Sequence, residues 1–139
     1  GLAFNAKADT TVAPGDLCYL KWNSGSLRVA FNIAQGDSTT TSTGMLAIAM
    51  ESKTAGQTGK FCTKGFITVN ASDINNARGT VEGDIGKPLY LDAGTAGEFS
   101  VTAPTNSGDV VRIVGHIASV NTPSHYLIYF NPDNTWIEL

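Results

Sequence analysis

Cys18, Cys62, His116 and His125 are the side chains best suited to nucleophilic or metal chemistry, and their spacing argues against both. A nucleophile needs an adjacent base, and the base needs an orienting group, so catalytic Ser and Cys residues sit in recognisable local sequences. The chain contains no Gly-x-Ser-x-Gly elbow, no His-Glu-x-x-His pair, no Walker loop and no Gly-x-Gly-x-x-Gly opening a helix. Each cysteine lies in an apolar run, Leu17-Cys18-Tyr19-Leu20 or Phe61-Cys62-Thr63, more than fifty residues from either histidine. Such thiols read as small buried hydrophobes, and two of them could close at most one disulfide. His116 belongs to an alternating run with Ile113, Gly115 and Ile117 on one face and Val114, His116 and Ala118 on the other, which suggests a structural or interface position. His125 follows Pro123-Ser124 and is expected in solvent. The twelve acidic residues contain no spacing that singles out a general-acid pair. The expectation is a protein that is not an enzyme, with no cofactor and no metal.

Four Gly-Asp dipeptides recur, at Gly15-Asp16, Gly36-Asp37, Gly83-Asp84 and Gly108-Asp109. Clustered loop carboxylates could hold Ca²⁺, but the regular spacing of calcium loops is absent. These dipeptides read as turns, with Gly supplying the unusual backbone angles and Asp bonding the backbone of the turn. Aromatic residues are the remaining binding signal. Exposed aromatics beside Asn and Asp suit sugar stacking, and they also suit a subunit interface. Trp22, Trp136 and Tyr126 are therefore glycan-binding candidates. Leu2, Phe4, Thr40, Tyr126 and Trp136 are protein-interface candidates. Thr40 lies in the low-complexity run of residues 35–44, which reads either as a mobile surface loop or as a contact loop toward a neighbouring subunit or a glycan.

The elements that must position these residues are short β-strands. Helical periodicity is almost absent, and apolar runs of four to ten residues are broken by Gly, Pro, Asn and Asp. The expected strands cover residues 17–22, 27–33, 46–51, 60–63, 66–70, 89–92, 99–102, 110–119 and 126–130, with 136–139 closing the chain. In the second, Leu27, Val29 and Phe31 should share one face, opposite Arg28 and Asn32. Asn23-Ser24-Gly25-Ser26 and Ala93-Gly94-Thr95-Ala96-Gly97 read as hairpin turns. One helical turn is expected at residues 72–77, capped by Ser72 or Asp73.

An internal similarity runs through these segments. Each half has a Gly-Asp turn, a Tyr-Leu strand (Tyr19-Leu20 and Tyr90-Leu91), a hairpin, a loop and a strand ending near Ile-Ala (Ile48-Ala49 and Ile117-Ala118). The expected architecture is all-β, a small barrel or sandwich of about eight to ten short antiparallel strands built from two similar halves. Residues 1–13 are expected as an extended N-terminal arm, and residues 14–139 as a single β domain with pseudo-repeats at about 14–70 and 81–139.

Composition narrows the function classes. Gly, Thr, Ser and Asn make up 51 of the 139 residues, while charged residues are only 15%. The 42% hydrophobic content excludes wholesale disorder. A net charge of −3 offers no basic face for a phosphate backbone or an anionic membrane. No run approaches the ~20 apolar residues of a spanning helix. The expectation is no nucleic acid and no membrane among the partners.

The ordered segments Gly15-Asp16-x-x-Tyr19-Leu20, Gly44-Met45-Leu46-Ala47-Ile48-Ala49, Lys64-Gly65-Phe66-Ile67-Thr68-Val69 and Gly86-Lys87-Pro88-Leu89-Tyr90-Leu91 resemble the capsid-fibre or head-decoration β-barrel domains of tailed bacteriophages. The closing stretch of residues 107–115 and 128–138 is similar to the C-terminal ends of phage fibre proteins. The resemblance covers most of the chain from about Pro14 onward. It implies a virion surface structural protein that binds the particle exterior through the major capsid protein or a fibre shaft. It also implies a homo-oligomer, with a trimer favoured, and location in the virion after assembly in the host cytoplasm. The alternative it carries is a tail-fibre tip module recognising host-surface glycans. The start at Gly1 fits a processed decoration protein or the terminal domain of a longer fibre. The resemblance supplies no catalytic residues.

Overall fold

The computed structural model describes residues 2–76 and 81–139, without the side chains of Phe4, Val81 and Glu82. The chain is almost entirely β. Its strands are β1 (Leu2–Lys7), β2 (Leu17–Asn23), β3 (Arg28–Ile33), β4 (Leu46–Ala49), β5 (Thr58–Asn70), β6 (Ile74–Asn75), β7 (Pro88–Leu91), β8 (Phe99–Ser100), β9 (Val110–Val111), β10 (Ile113–Thr122), β11 (His125–Phe130) and β12 (Ile137–Glu138). A 3-10 turn (Ala71–Asp73) and one short helix, α1 (Val81–Asp84), are the helical elements described. The helical turn expected at residues 72–77 is thus shorter and begins earlier, with the Asp73 carboxylate accepting the Asn70 N–H, and Ala77 lies outside the described residues.

One curled sheet carries the fold, in the order β3-β2-β4-β5-β11-β10-β7-β8-β6, with β1 also paired to β5. All these pairings are antiparallel except the two-residue β6–β8 pair. The order is palindromic about the central β5–β11 pair: β4 and β10 come next on either side, then β2 and β7, then β3 and β8. Both hairpins read from turn residues are formed, β2 with β3 and β7 with β8. The segments 60–63 and 66–70 join into the single thirteen-residue β5, because Gly65, at φ +122°, bends the strand without ending it. The run 110–119 instead breaks at Arg112.

Strand alternation builds two cores. Leu17, Leu46, Ile48 and Cys62 join Val69, Leu89, Leu91, Phe99, Ile117, Tyr126, Ile128 and Phe130 in the larger one. Their immediate neighbours Cys18, Ala47, Ala49 and Phe61 point the other way, into a smaller core with Ala8, Val12 and Phe31. β4 is consequently buried on both faces, and its alanines leave room for the close Phe31–Phe61 stack at 4.5 Å.

The N-terminal segment completes the smaller core. It is extended, but its partner is its own chain: β1 runs antiparallel along β5, with Lys7 opposite Thr58. Beyond it, Ala8 bridges to Phe31 in β3, so the path β3-β2-β4-β5-β1 returns to its start. Ala8 and Val12 are both buried there, a role unlike that of an arm reaching for a neighbour.

Cys18 and Cys62 are free thiols, both buried, one in each core. Burial pushes the Cys18 thiol up to about 12. The alternation expected around His116 shifts at an irregularity between Ile113 and Gly115, so Val114 is buried while His116 faces out opposite Tyr129.

Candidate interaction surface

The β2–β3 hairpin outreaches the core it helps to build. Cross-strand register places Trp22 opposite Val29, Leu20 opposite Phe31 and Cys18 opposite Ile33, all on one face. Cys18 and Phe31 are sealed in the smaller core, and Leu20 and Ile33 pack against it. One pair further out, that apolar face runs into solvent: Trp22 is 57% exposed and Val29 56%. Leu27, in the turn, is 76% exposed and sits at φ +51°, in the left-handed region that a leucine rarely occupies. It therefore lies outside the strand in which sequence alternation placed it.

The opposite face of the hairpin is polar and tied down. Asp9, its side chain 5% exposed, accepts from Asn23 Nδ2 at 2.7 Å and from Asn32 Nδ2 at 2.8 Å. Arg28 approaches the same carboxylate at 3.5 Å and Lys21 at 3.8 Å. The hydrogen bond from Asn23 leads the causes that hold the Asp9 carboxyl below its ordinary range, with Asn32, Lys21 and Arg28 adding to it against burial. Asn23 also caps the turn, its Oδ1 accepting the Ser26 N–H at 3.0 Å. The hairpin is therefore clamped on one face by a carboxylate hub, presents exposed Trp22 and Val29 on the other, and carries exposed Leu27 at its turn.

The remaining candidates are distributed around the molecule. Leu2 is exposed at the start of β1, opposite Lys64; Phe4 pairs with Phe61 through its backbone, and its side chain lies outside the described atoms. Thr40 is exposed in the loop of residues 35–44. That loop spends its hydroxyls on itself: Thr41 Oγ1 donates to Gln35 O, Ser42 Oγ to Ser38 O and Thr43 Oγ1 to Thr39 O. Arg112 then pins it through the carbonyls of Ser42 and Gly44. Trp136 is 39% exposed beside β12, which pairs with β9, and among the described residues no ring contact joins it to Trp22.

Tyr126 is removed from both candidate sets. It is fully buried in the larger core, and its hydroxyl donates to Asp84 Oδ2 at 2.5 Å. Alternation within β11 turns Tyr126, Ile128 and Phe130 inward and leaves Leu127 and Tyr129 on the outer face. There Tyr129 meets the exposed Phe66 of β5, ring centroids 4.9 Å apart, a pair not singled out from sequence although both residues sit in alternating strands.

The Gly-Asp dipeptides divide. Asp16 Oδ2 accepts the Ala13 N–H and Asp109 Oδ2 the Asn106 N–H, as turn residues do. Asp84 is a buried acceptor for Tyr126, with Lys87 at 3.8 Å. No group of His, Cys, Asp and Glu suited to a metal is found among the described residues. No protein-family model matches the chain, and no curated protein or solved structure is detectably similar to it.

Proposed function

We propose that this chain is a structural component of a tailed-phage virion surface, a capsid-decoration or head-fibre protein that attaches to another virion protein through the tip formed by Trp22, Leu27 and Val29. The observation that carries the contact role is Leu27. An exposed leucine in a left-handed turn is unfavourable twice, through its backbone and through its solvation, and a glycine there would relieve both. A rigid apolar tip of this kind supplies a central anchor for a protein interface with little ordering on binding. The virion assignment itself rests on the motif order of the sequence. In the same reading the chain works as a homo-oligomer, a trimer being favoured, with the Phe66–Tyr129 face suited to contact between copies.

The glycan-binding alternative draws support from the exposed Trp22 indole, which could stack on a sugar ring. Burial of Tyr126 removes one of the three candidate aromatics, and among the described residues no ring contact joins Trp136 to Trp22, so the protein-contact reading is preferred.

Attachment is tested by adding the purified chain to particles lacking it and measuring occupancy by cryo-electron microscopy. Trp22→Ala and Leu27→Gly should each lower occupancy at least tenfold at limiting concentration while the fold is retained. Parental occupancy by both variants would overturn the assignment of the tip. Absence of particle binding by the parent, with a Trp22-dependent hit on a glycan array, would replace the proposal with the receptor-binding reading.

A further inference from the structure

Arg112 is 5% exposed, yet among the described residues no carboxylate lies within 4 Å of its guanidinium. Its hydrogen bonds go to backbone carbonyls, and the Asp133 carboxylate, beyond 4 Å, adds a longer-range attraction: Nε donates to Asp133 O at 2.7 Å, and Nη1 donates to Ser42 O at 2.8 Å and Gly44 O at 2.7 Å. The Asp133 side chain accepts the Thr135 N–H instead. Three of the five guanidinium hydrogens are thereby used, and the two on Nη2 have no acceptor among the described residues. Nη2 is also not one of the buried atoms lacking a partner, so it retains access to solvent.

Arg112 also lines a depression of about 400 Å³, together with Thr43, Thr63, Asn131 and Asn134, with Met45 on its wall. Met45 is 46% exposed. A guanidinium with two free donors in a polar recess is chemically matched to an anionic oxygen, and its fork favours the planar carboxylate. The surrounding hydroxyls and amides can both donate and accept, which suits a ligand carrying alcohols. The exposed thioether offers an apolar contact for C–H groups. The volume falls within the range of small-ligand pockets and is too small for a long peptide segment.

We infer that this recess is a binding site for an acidic sugar, with Arg112 Nη2 holding the carboxylate and Thr43, Thr63, Asn131 and Asn134 meeting the hydroxyls. The recess is rigid for a reason independent of the ligand: the bonds from Nε and Nη1 tie the loop of residues 35–44 to the C-terminal segment, so Nη2 is oriented before anything binds. This inference does not depend on the attachment role of the hairpin tip, which involves other residues.

The test uses the full chain, ¹⁵N-labelled, titrated with D-glucuronate, D-glucose, acetate and a Glu-rich hexapeptide at constant ionic strength. Glucuronate should give saturable shifts of the Gly44, Met45 and Asn131 amides and of the Arg112 Nε–H. Its apparent Kd should be at least tenfold below those of glucose, acetate and the peptide. Asn131→Asp places a carboxylate in the recess without touching the three structural bonds of Arg112, and should weaken glucuronate binding at least tenfold with the amide spectrum otherwise preserved. Arg112→Gln should abolish binding. If it also unfolds the chain, Asn131→Asp alone decides. No saturable shifts with glucuronate, equal affinity for glucose, acetate or the peptide, or unchanged binding by Asn131→Asp would each overturn the inference.

Discussion

Replacing Asp9 by alanine tests whether the hub beneath the β2–β3 hairpin holds the apolar tip in place. The carboxylate receives two short amide hydrogen bonds, from Asn23 and Asn32, and two longer ionic contacts, from Arg28 and Lys21. A hydrogen bond to a charged group contributes roughly 1.5–3 kcal/mol. Ionic contacts to partly exposed side chains add only about 0.2–1 kcal/mol each. The four share one acceptor and do not add fully, so Asp9→Ala is expected to cost about 3 kcal/mol. With about 2.1 cal/mol/K per residue of unfolding entropy, that is a fall in Tm of about 10 °C for a chain of this length. Asp9→Asn keeps one carbonyl acceptor and should recover about half of the loss.

The pH dependence has a definite sign. The folded carboxyl titrates below its ordinary value of 3.8, so its contribution is complete above that value and disappears as pH falls through the lower folded value. Burial first of all pushes Asp73 and Glu98 upward, which acts in the opposite direction, so the informative quantity is the difference between parent and variant. That difference should be constant from pH 6 to 8 and shrink in acid. Calorimetry gives the Tm values, and hydrogen exchange of residues 20–33 reports whether the hairpin loosens. A fall in Tm below about 2 °C, or a difference that grows as pH drops, would refute the role assigned to the hub.

Other predictions rest on single contacts. A Cβ at Gly115 would collide with the Tyr129 carbonyl across the β10–β11 pair, and backbone cannot move aside as a side chain can. Gly115→Ala should therefore cost more than about 2 kcal/mol in chemical denaturation. Tyr126→Phe leaves buried Asp84 short of one donor and should cost about 1–3 kcal/mol, whereas the same change at outward-facing Tyr129 should cost less than 1. Cys18, buried and with its thiol raised to about 12, should resist a thiol reagent at pH 8 in the native protein and react on unfolding, as followed by mass spectrometry.

Strand positions, both hairpins and the all-β class were legible in the sequence because they depend on local chemistry: period-two alternation, turn residues and the absence of helical spacing. Even there, local reading stopped where strands bend or break. Gly65 looked like a terminator and proved to be a bend inside β5, and the run 110–119 breaks at Arg112, where the chain passes from the β9–β12 pair into the main sheet.

The candidate surface was only partly visible. Trp22 was singled out by residue type and is exposed. Tyr126 was chosen on the same grounds and is buried, because an aromatic in an alternating strand faces wherever register sends it, and register is a property of the pair rather than of the segment. Leu27 looked like a strand residue until the turn claimed it. Residues 2–13 looked partnerless because their partners, Thr58 in β5 and Phe31 in β3, are remote in sequence.

Sequence by itself determined the kind of structure, many short strands joined by Gly, Asn and Asp turns, since those preferences act over a few residues. Tertiary structure decided which side chains are available to a partner. It closed the N-terminal half around Phe31 and Phe61, carried Trp22 and Val29 past the end of that core, and set a buried arginine on the wall of a recess. The first and last of these outcomes depend on segments far apart in sequence meeting, and the second on the register of the β2–β3 pair.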